Sequence, residues 1–461
     1  MPNAPRRVLR NVAAITTVGA LFLALVAQTS LASAGATASV STHPAVGTPQ
    51  LATTGTPEQI RQLVECGSTM YAVGTFTKIN QGKLNFTRNN IFSFKASAPY
   101  TVTAWNPDVS GKVNSITFNG TDCSHAYIGG AFHTVHGSPA TDIAEIDTTT
   151  GTLVSSFGHT ANGQVETLRS FRGHILVGGY YTLINGSSTD KYMTSLNAST
   201  GKDDGFIHLN ISGNYRYPGS RPNSTKVYNQ TLSYSGTLDL VMGDFTSVGG
   251  QKRQQIFMLN LATAHAGVTG WTSPQWDGSK GLRSKSNPHG YPYECAVNET
   301  FYIQAASWSP DDSTVYIGTT GLKPNGTPAG SYPRTGLCDA AAAFPSSQKP
   351  VLDKWINYTG CDSLFSTVAS STTVYFAGHE RWSENPRGCN FAGPGAISAP
   401  GIEGVSPSTG HLIYNPTRAR GLGADDLLLT SAGLWIASDN FKGSAMCGGL
   451  LNHAGICFFP N

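Results

Sequence analysis

The stretch His125–Gly137, "HAYIGGAFHTVHG", decides the fold. It opens with strand-type residues, reaches a glycine pair at Gly129–Gly130, adds the aromatic Phe132, and ends in a turn at Gly137. Poorer copies recur along the chain: "TMYAVGTFTKINQG" from Thr69, "HILVGGYYTLING" from His174, "TLDLVMGDFTSVGG" from Thr237, "STVYIGTTGLKPNG" from Ser313, "TTVYFAGHERW" from Thr372 and "GLWIASDNFKGS" from Gly433. The seven copies align on Gly74, Gly130, Gly179, Gly243, Thr319, Gly378 and Ser438. They return every ~50–75 residues, a period that belongs to radial or stacked β architecture.

Each unit reads as four strands. The aligned strand comes first, and segments such as "TDIAEIDTTTG" and "QQIFMLNLATA" supply the second, with a polar hairpin turn. A third carries Trp or Phe, as in "VTAWNPDVSG" and "VLDKWINYTG". A fourth, such as "KVNSITFNG" or "DDLLLTSAG", closes the unit. The last unit stops after its second strand, and the stretch "EQIRQLVECGS" from Glu58 matches a fourth strand with no unit before it. Ile60–Glu65 is therefore expected to complete the sheet begun at Leu434. The expected fold is all-β: a seven-bladed β-propeller over 58–461, closed by pairing the N-terminal strand with the C-terminal blade. A parallel β-solenoid would ask for shorter, more uniform coils.

The copies "VGGYYTLING" and "MGDFTSVGGQKRQQIFMLNLATA" resemble the delta-sixty-type repeat, V-x-G-G-x-F-T-x-x-x-G followed by I-A-R-L-D-x-x-T-G, of secreted bacterial β-propellers, often actinobacterial. The resemblance covers the chain well up to about Ala262 and only in outline from Trp271. It implies a propeller used as an extracellular binding or surface module, and it carries no catalytic residues across.

The N-terminus predicts export. Arg6, Arg7 and Arg10 precede an apolar run from Ile15 to Val26 that is too short to span a bilayer, and Ala32-Ser33-Ala34 forms a small-x-small cleavage site. Residues 1–34 are read as a signal peptide and 35–57, rich in Ala, Thr, Ser, Gly and Pro, as a disordered leader. No later stretch is long and apolar enough to cross a membrane. A net charge of +3 with 12% charged residues excludes a nucleic-acid partner. The expectation is a secreted, extracellular monomer without cofactor.

Eight cysteines in an exported chain read as disulfides. Cys447 and Cys457 share the final hairpin. Cys66 and Cys123 hold matching places in neighbouring units, so a bridge there staples unit to unit. Cys338 and Cys361 flank one strand pair of the fifth unit, which leaves Cys295 and Cys389 over. No C-x-x-C spacing suggests zinc.

Candidate chemistry concentrates in the sixth unit. There "GHERWSENPRG" supplies His379, Glu380, Arg381, Trp382 and Glu384, and "NPTRARGLGADD" supplies Arg418, Arg420, Asp425 and Asp426. A histidine beside carboxylates and arginines suits acid–base work or carboxylate binding, and Trp382 suits stacking on a sugar face. The competing reading is a network of ion pairs between sheets. His133 and His136 fall in a turn whose siblings read "FTSVGG" and "YTLING", so no metal site is assigned. Asp203-Asp204 and Asp311-Asp312 read as turn acids without calcium-loop spacing. No G-x-S-x-G, H-E-x-x-H or P-loop occurs. Long insertions, Gly213–Lys226 and Trp271–Tyr293, rise from the ring. These features favour a non-catalytic propeller that binds an extracellular glycan or protein. A polysaccharide hydrolase or lyase centred on the sixth unit is the alternative.

Overall fold

A computed structural model describes residues 40–215, 224–276, 301–321, 336–416, 423–441, 446–447, 450–451 and 453–461. The signal-peptide region, Cys295, Arg418 and Arg420 lie outside the described residues. The described residues are all-β, without a helix.

Each of the seven copies is the second strand of its own antiparallel sheet. In the first sheet Thr69–Thr75 lies between Gln59–Cys66 and Ile91–Lys95. In the fourth, Leu238–Asp244 lies between Lys226–Leu232 and Ile256–Asn260, and Gly267–Val268 adds an outer strand. These second strands are buried on both faces rather than alternating: consecutive residues such as Tyr127 and Ile128, Leu176 and Val177, Tyr316 and Ile317, and Tyr375 and Phe376 are all buried, because each strand lies between two others and under neighbouring sheets. The inner strands of the sheets touch one another in chain order, and that of the seventh, Asp426–Thr430, touches that of the first, Gln59–Cys66.

The aligned glycine has a definite steric cause. In six sheets the inner strand carries a β-bulge, at Ile60/Gln62, Val113/Ser115, Val165/Thr167, Val227/Asn229, Ile303/Ala305 and Leu364/Ser366. The bulge pushes the inner backbone against the next strand. A Cβ on Gly74 would lie 2.0 Å from the Gln59 carbonyl oxygen, and one on Gly130 2.1 Å from that of Lys112. The bulge also turns the extra residue out of the ladder. The aromatic two places after the glycine (Phe76, Phe132, Tyr181, Phe245) is fully buried.

The strand pairing is shifted by one from expectation. Ile60–Glu65 does not complete the last sheet; it pairs within the first, with Ile60 opposite Gly74 and Leu63 opposite Ala72. The reason is local. Gly67 adopts φ 60°, so the chain reverses at once after Cys66, and a tight hairpin costs little loop entropy. The "fourth" strand thus opens the sheet that follows it. Its backbone pairing with the seventh sheet is an isolated bridge, Gln59 to Asp439, beside Ile60 N–H donating to the Ser438 carbonyl at 2.9 Å.

The outer edge of the seventh sheet is covered by the segment expected to be a disordered leader. Ser41 N–H donates to the Pro460 carbonyl at 2.7 Å, Ala45 N–H to Phe458 at 2.8 Å and Leu51 N–H to Ala454 at 3.0 Å. Partner numbers fall as segment numbers rise, so residues 41–51 run antiparallel along Ile456–Pro460. Val40, Leu51 and Ala52 are buried, and the Tyr414 hydroxyl donates to the Ser41 carbonyl. Composition alone hid this role, because a strand that caps an edge needs few apolar residues.

Cys66–Cys123 and Cys447–Cys457 form as expected. Cys361, however, is bonded to Cys389 rather than Cys338, and Cys338 is itself disulfide-bonded elsewhere. The excursion after Arg381 folds back over the end of the outer strand of the fifth sheet, Trp355–Tyr358, where Asn385 N–H donates to the Tyr358 carbonyl at 2.7 Å. That return brings the Cα atoms of Cys361 and Cys389 within 4.6 Å.

Candidate functional site

The bulges converge on one place. The residues they turn out are Arg61, Asn114, Glu166, Tyr228, Gln304 and Phe365, one from each of the first six sheets. Asp425 holds the corresponding position in the seventh, its N–H donating to the Ala437 carbonyl. The Lys112 ammonium is pushed below the usual lysine range, first by burial and then by Arg61 and Lys226, against the opposing pull of Glu166 and Asp425. One lysine feels charges from four other sheets only where their inner strands meet. This convergence of inner strands forms a mouth of charged and aromatic side chains.

The mouth is held in place by local bonds. Glu166 accepts from Asn114 Nδ2 at 3.0 Å and from Gln164 Nε2 at 2.7 Å. Lys226 Nζ lies 3.7 Å from Asp244 Oδ2 and 5.8 Å from the centre of the Tyr228 ring, and the Tyr228 hydroxyl donates to the Ile303 carbonyl at 2.7 Å. The His379 ring meets the edge of Phe365 at 5.1 Å. Three cations (Arg61, Lys112, Lys226) and two carboxylates (Glu166, Asp425) thus act on one another across five sheets, with Tyr228 and Phe365 at matching bulge positions, and all seven residues are half-buried.

Of the described sixth-unit candidates, Asp425 and His379, which meets Phe365, reach this mouth, and Glu380, Arg381, Trp382, Glu384 and Asp426 are placed elsewhere. Glu380 occupies the position of the repeat's buried aromatic and is fully inaccessible. Arg381 forms a bidentate pair with buried Asp362, Nε to Oδ2 and Nη2 to Oδ1 both at 2.7 Å, and these bonds hold its charge above the ordinary range. Its guanidinium also donates to Asn390. Trp382 lies in a short ladder opposite Ser398. Glu384 accepts from Leu412 N–H at 2.8 Å and lies 3.2 Å from His411 Nδ1.

Asp426 belongs to a repeated interlock. Gln62 Oε1 accepts from Ile116 N–H at 2.7 Å, joining the first sheet to the second, and Ser115 Oγ accepts from Leu168 N–H at 3.0 Å, joining the second to the third. Asp426 Oδ2 accepts from Leu63 N–H at 2.9 Å, joining the seventh to the first. Burial raises its carboxyl to about 6, against the pull of the Leu63 amide and Arg169. Two further buried carboxyls, Asp239 beside Arg169 and Glu403 beside Ser383, are each raised by burial to about 7.

These shifts set a pH dependence. The folded protein holds protons on these carboxyls more tightly than the unfolded chain does. Their contribution to stability therefore falls as the pH rises from about 4 to 7. Burial lowers His159 and His453, which act in the opposite sense on acidification. The signature is isolated by substitution. Between pH 5 and pH 8 the parent should lose about 2–3 kcal/mol more than Asp239→Asn, read from urea unfolding at the two pH values.

Sequence reading missed Arg61, Lys112, Glu166 and Lys226, because each looks like an ordinary polar residue entering a strand. The available signal was periodic: a charged or amide residue recurs at the head of the fourth strands "QIRQ", "KVN", "QVE" and "KVYN".

No protein-family model matches the chain, and no curated protein does. Solved structures do. A chain from a mitotic checkpoint complex aligns over 100% of this chain and 99% of its own length, with 11% identity and a TM-score of 0.50. The WD40 β-propeller domain of Doa1 covers 90% of this chain and 97% of its own, at 11% identity and a TM-score of 0.44. The WD40 repeats of RRP9 cover 91% and 98%, at 10% and 0.44. At such identities the likeness concerns fold alone. The chain is an all-β repeat protein with β-propellers among the solved structures it resembles.

Proposed function

We propose that the seven sheets are the blades of a single closed propeller, exported and oxidised, that works as a non-catalytic binding module for an extracellular protein at its axial mouth. The cyclic contact of the inner strands and the clasp by residues 41–51 support the closed ring. Three disulfides suit an oxidising compartment. Such a ring folds from one chain and acts as a monomer. The delta-sixty-type repeat is consistent with a secreted surface role.

The observation that carries the reading is the mouth itself. Opposite charges and aromatic rings from separate sheets are fixed by short bonds before any partner arrives, which limits the ordering cost of association. The enzyme alternative needed His379, Glu380, Arg418 and Asp425 in one pocket. Glu380 is instead buried in a packing position and Arg381 is committed to Asp362.

The test is capture from spent culture medium on the immobilised mature protein, with cross-linking through lysine and a hydrolysis panel on polysaccharides. The expected result is a protein cross-linked at Lys112 or Lys226 and no turnover. Turnover that disappears in His379→Ala would overturn it.

A further inference from the structure

The outer edge of the third sheet, far along the chain from the sixth-unit candidates, carries a cleft of about 900 Å³, the size of a small-molecule site. We propose that this cleft binds a neutral saccharide. It is formed where the excursion at Asn185–Asp190 folds beside the outer segment at Lys202–His208, with His265 reaching in from the fourth sheet.

Most of the lining side chains can hydrogen-bond, and none is large and apolar. Asp190 is 3% exposed; its Oδ1 accepts from Leu209 N–H at 3.2 Å and lies 3.1 Å from His208 Nδ1. Asp203 accepts from Gly205 N–H at 3.0 Å and from Ser187 Oγ at 2.7 Å. Asn185 Nδ2 donates to the Gly201 carbonyl at 2.7 Å. His265 Nδ1 lies 3.0 Å from the Gly205 carbonyl, which can only accept, so Nδ1 carries the proton and Nε2 is left as an acceptor. Carboxylates, imidazoles and amide are thus oriented by the fold before a ligand arrives.

The chemistry of the walls selects the ligand. An apolar molecule finds no large apolar side chain to pack against, only the carbon stems of polar residues, which suit the C–H face of a sugar. A phosphate or other anion meets Asp190 and Asp203 with Lys202 as the sole neighbouring ammonium of the lining. Among the described residues no group of three metal-ligating side chains is assembled. A molecule dense in hydroxyls fits both kinds of wall: it donates to Asp190, Asp203 and the imidazole Nε2 atoms of His208 and His265, and it accepts from Lys202.

Titration calorimetry of the mature protein with neutral trisaccharides of glucose, xylose, mannose, galactose and N-acetylglucosamine tests it. The expected result is saturable binding of at least one, with a dissociation constant of about 1 mM or below. Lys202→Ala and His265→Ala, both at exposed positions, should weaken that binding about tenfold with unchanged unfolding midpoints. Lys112→Glu at the mouth should leave it unchanged. No saturable binding at about 10 mM sugar, or binding indifferent to Lys202→Ala and His265→Ala, would overturn the assignment. Loss in Lys112→Glu alone would move the sugar to the mouth and overturn it equally.

Discussion

A variant lacking residues 40–52 is expected to lose cooperative folding, or to associate through its seventh sheet. The segment covers the edge of Ile456–Pro460, and its removal exposes the carbonyls of Ala454, Phe458 and Pro460 that it now satisfies. An uncovered, apolar edge is a template for pairing with another chain. The segment is also part of the core: Leu51 packs in one cluster with Ile60, Phe76, Trp435 and Ala454. Leu51→Ala should by itself cost about 3 kcal/mol, and the deletion more. Urea unfolding with light scattering reads both effects. A deletion variant with the stability and association state of the parent would show that the seventh sheet needs no such cover.

The second large effect falls on Asp426. Its carboxylate is the acceptor for Leu63 N–H and stands in the field of Arg169, which burial already pushes below its ordinary range. Asp426→Ala leaves a buried amide unsatisfied and removes a counter-charge. Together these should cost about 3 kcal/mol. Asp426→Asn keeps an oxygen for the amide and gives up only the charge, so about 1 kcal/mol is expected. Urea unfolding of the two variants separates a joint between sheets from a ligand-binding residue. Were Asp426 a ligand group, both substitutions would spare stability and abolish binding.

The repeat was legible because it is dictated by sterics that act within one unit. The bulged inner strand excludes a Cβ at Gly74, Gly130, Gly179, Gly243 and Gly378, and the space beside it accepts an aromatic ring. Such constraints recur at fixed spacing and leave a mark. The starting strand of each unit was not legible. Four strands in cyclic order look the same whichever is counted first, and the short turn at Gly67 decides the matter. The clasp was hidden because an edge strand is held by backbone bonds that any residue supplies. Cys361 was mispaired because Cys389 arrives through an excursion whose path depends on the Arg381–Asp362 pair.

The site was half legible. His379 and Glu380 were visible as departures from the repeat, and the departure at Glu380 has a packing role while that at His379 faces Phe365 in the mouth. Arg61, Lys112, Glu166 and Lys226 escaped notice because each contributes once and the next lies a whole unit away. Convergence of this kind is a property of the ring and of no single stretch.

The central claim is that the mouth, and not the sixth-sheet cluster, holds the partner. Its most direct test is the affinity of the captured partner for Lys112→Glu and Arg381→Ala, each with its unfolding midpoint. Charge reversal at Lys112 should weaken binding at least tenfold, about 1.4 kcal/mol, with stability unchanged, and Arg381→Ala should leave affinity within about twofold. Full affinity in Lys112→Glu, or a loss confined to Arg381→Ala, would contradict the account.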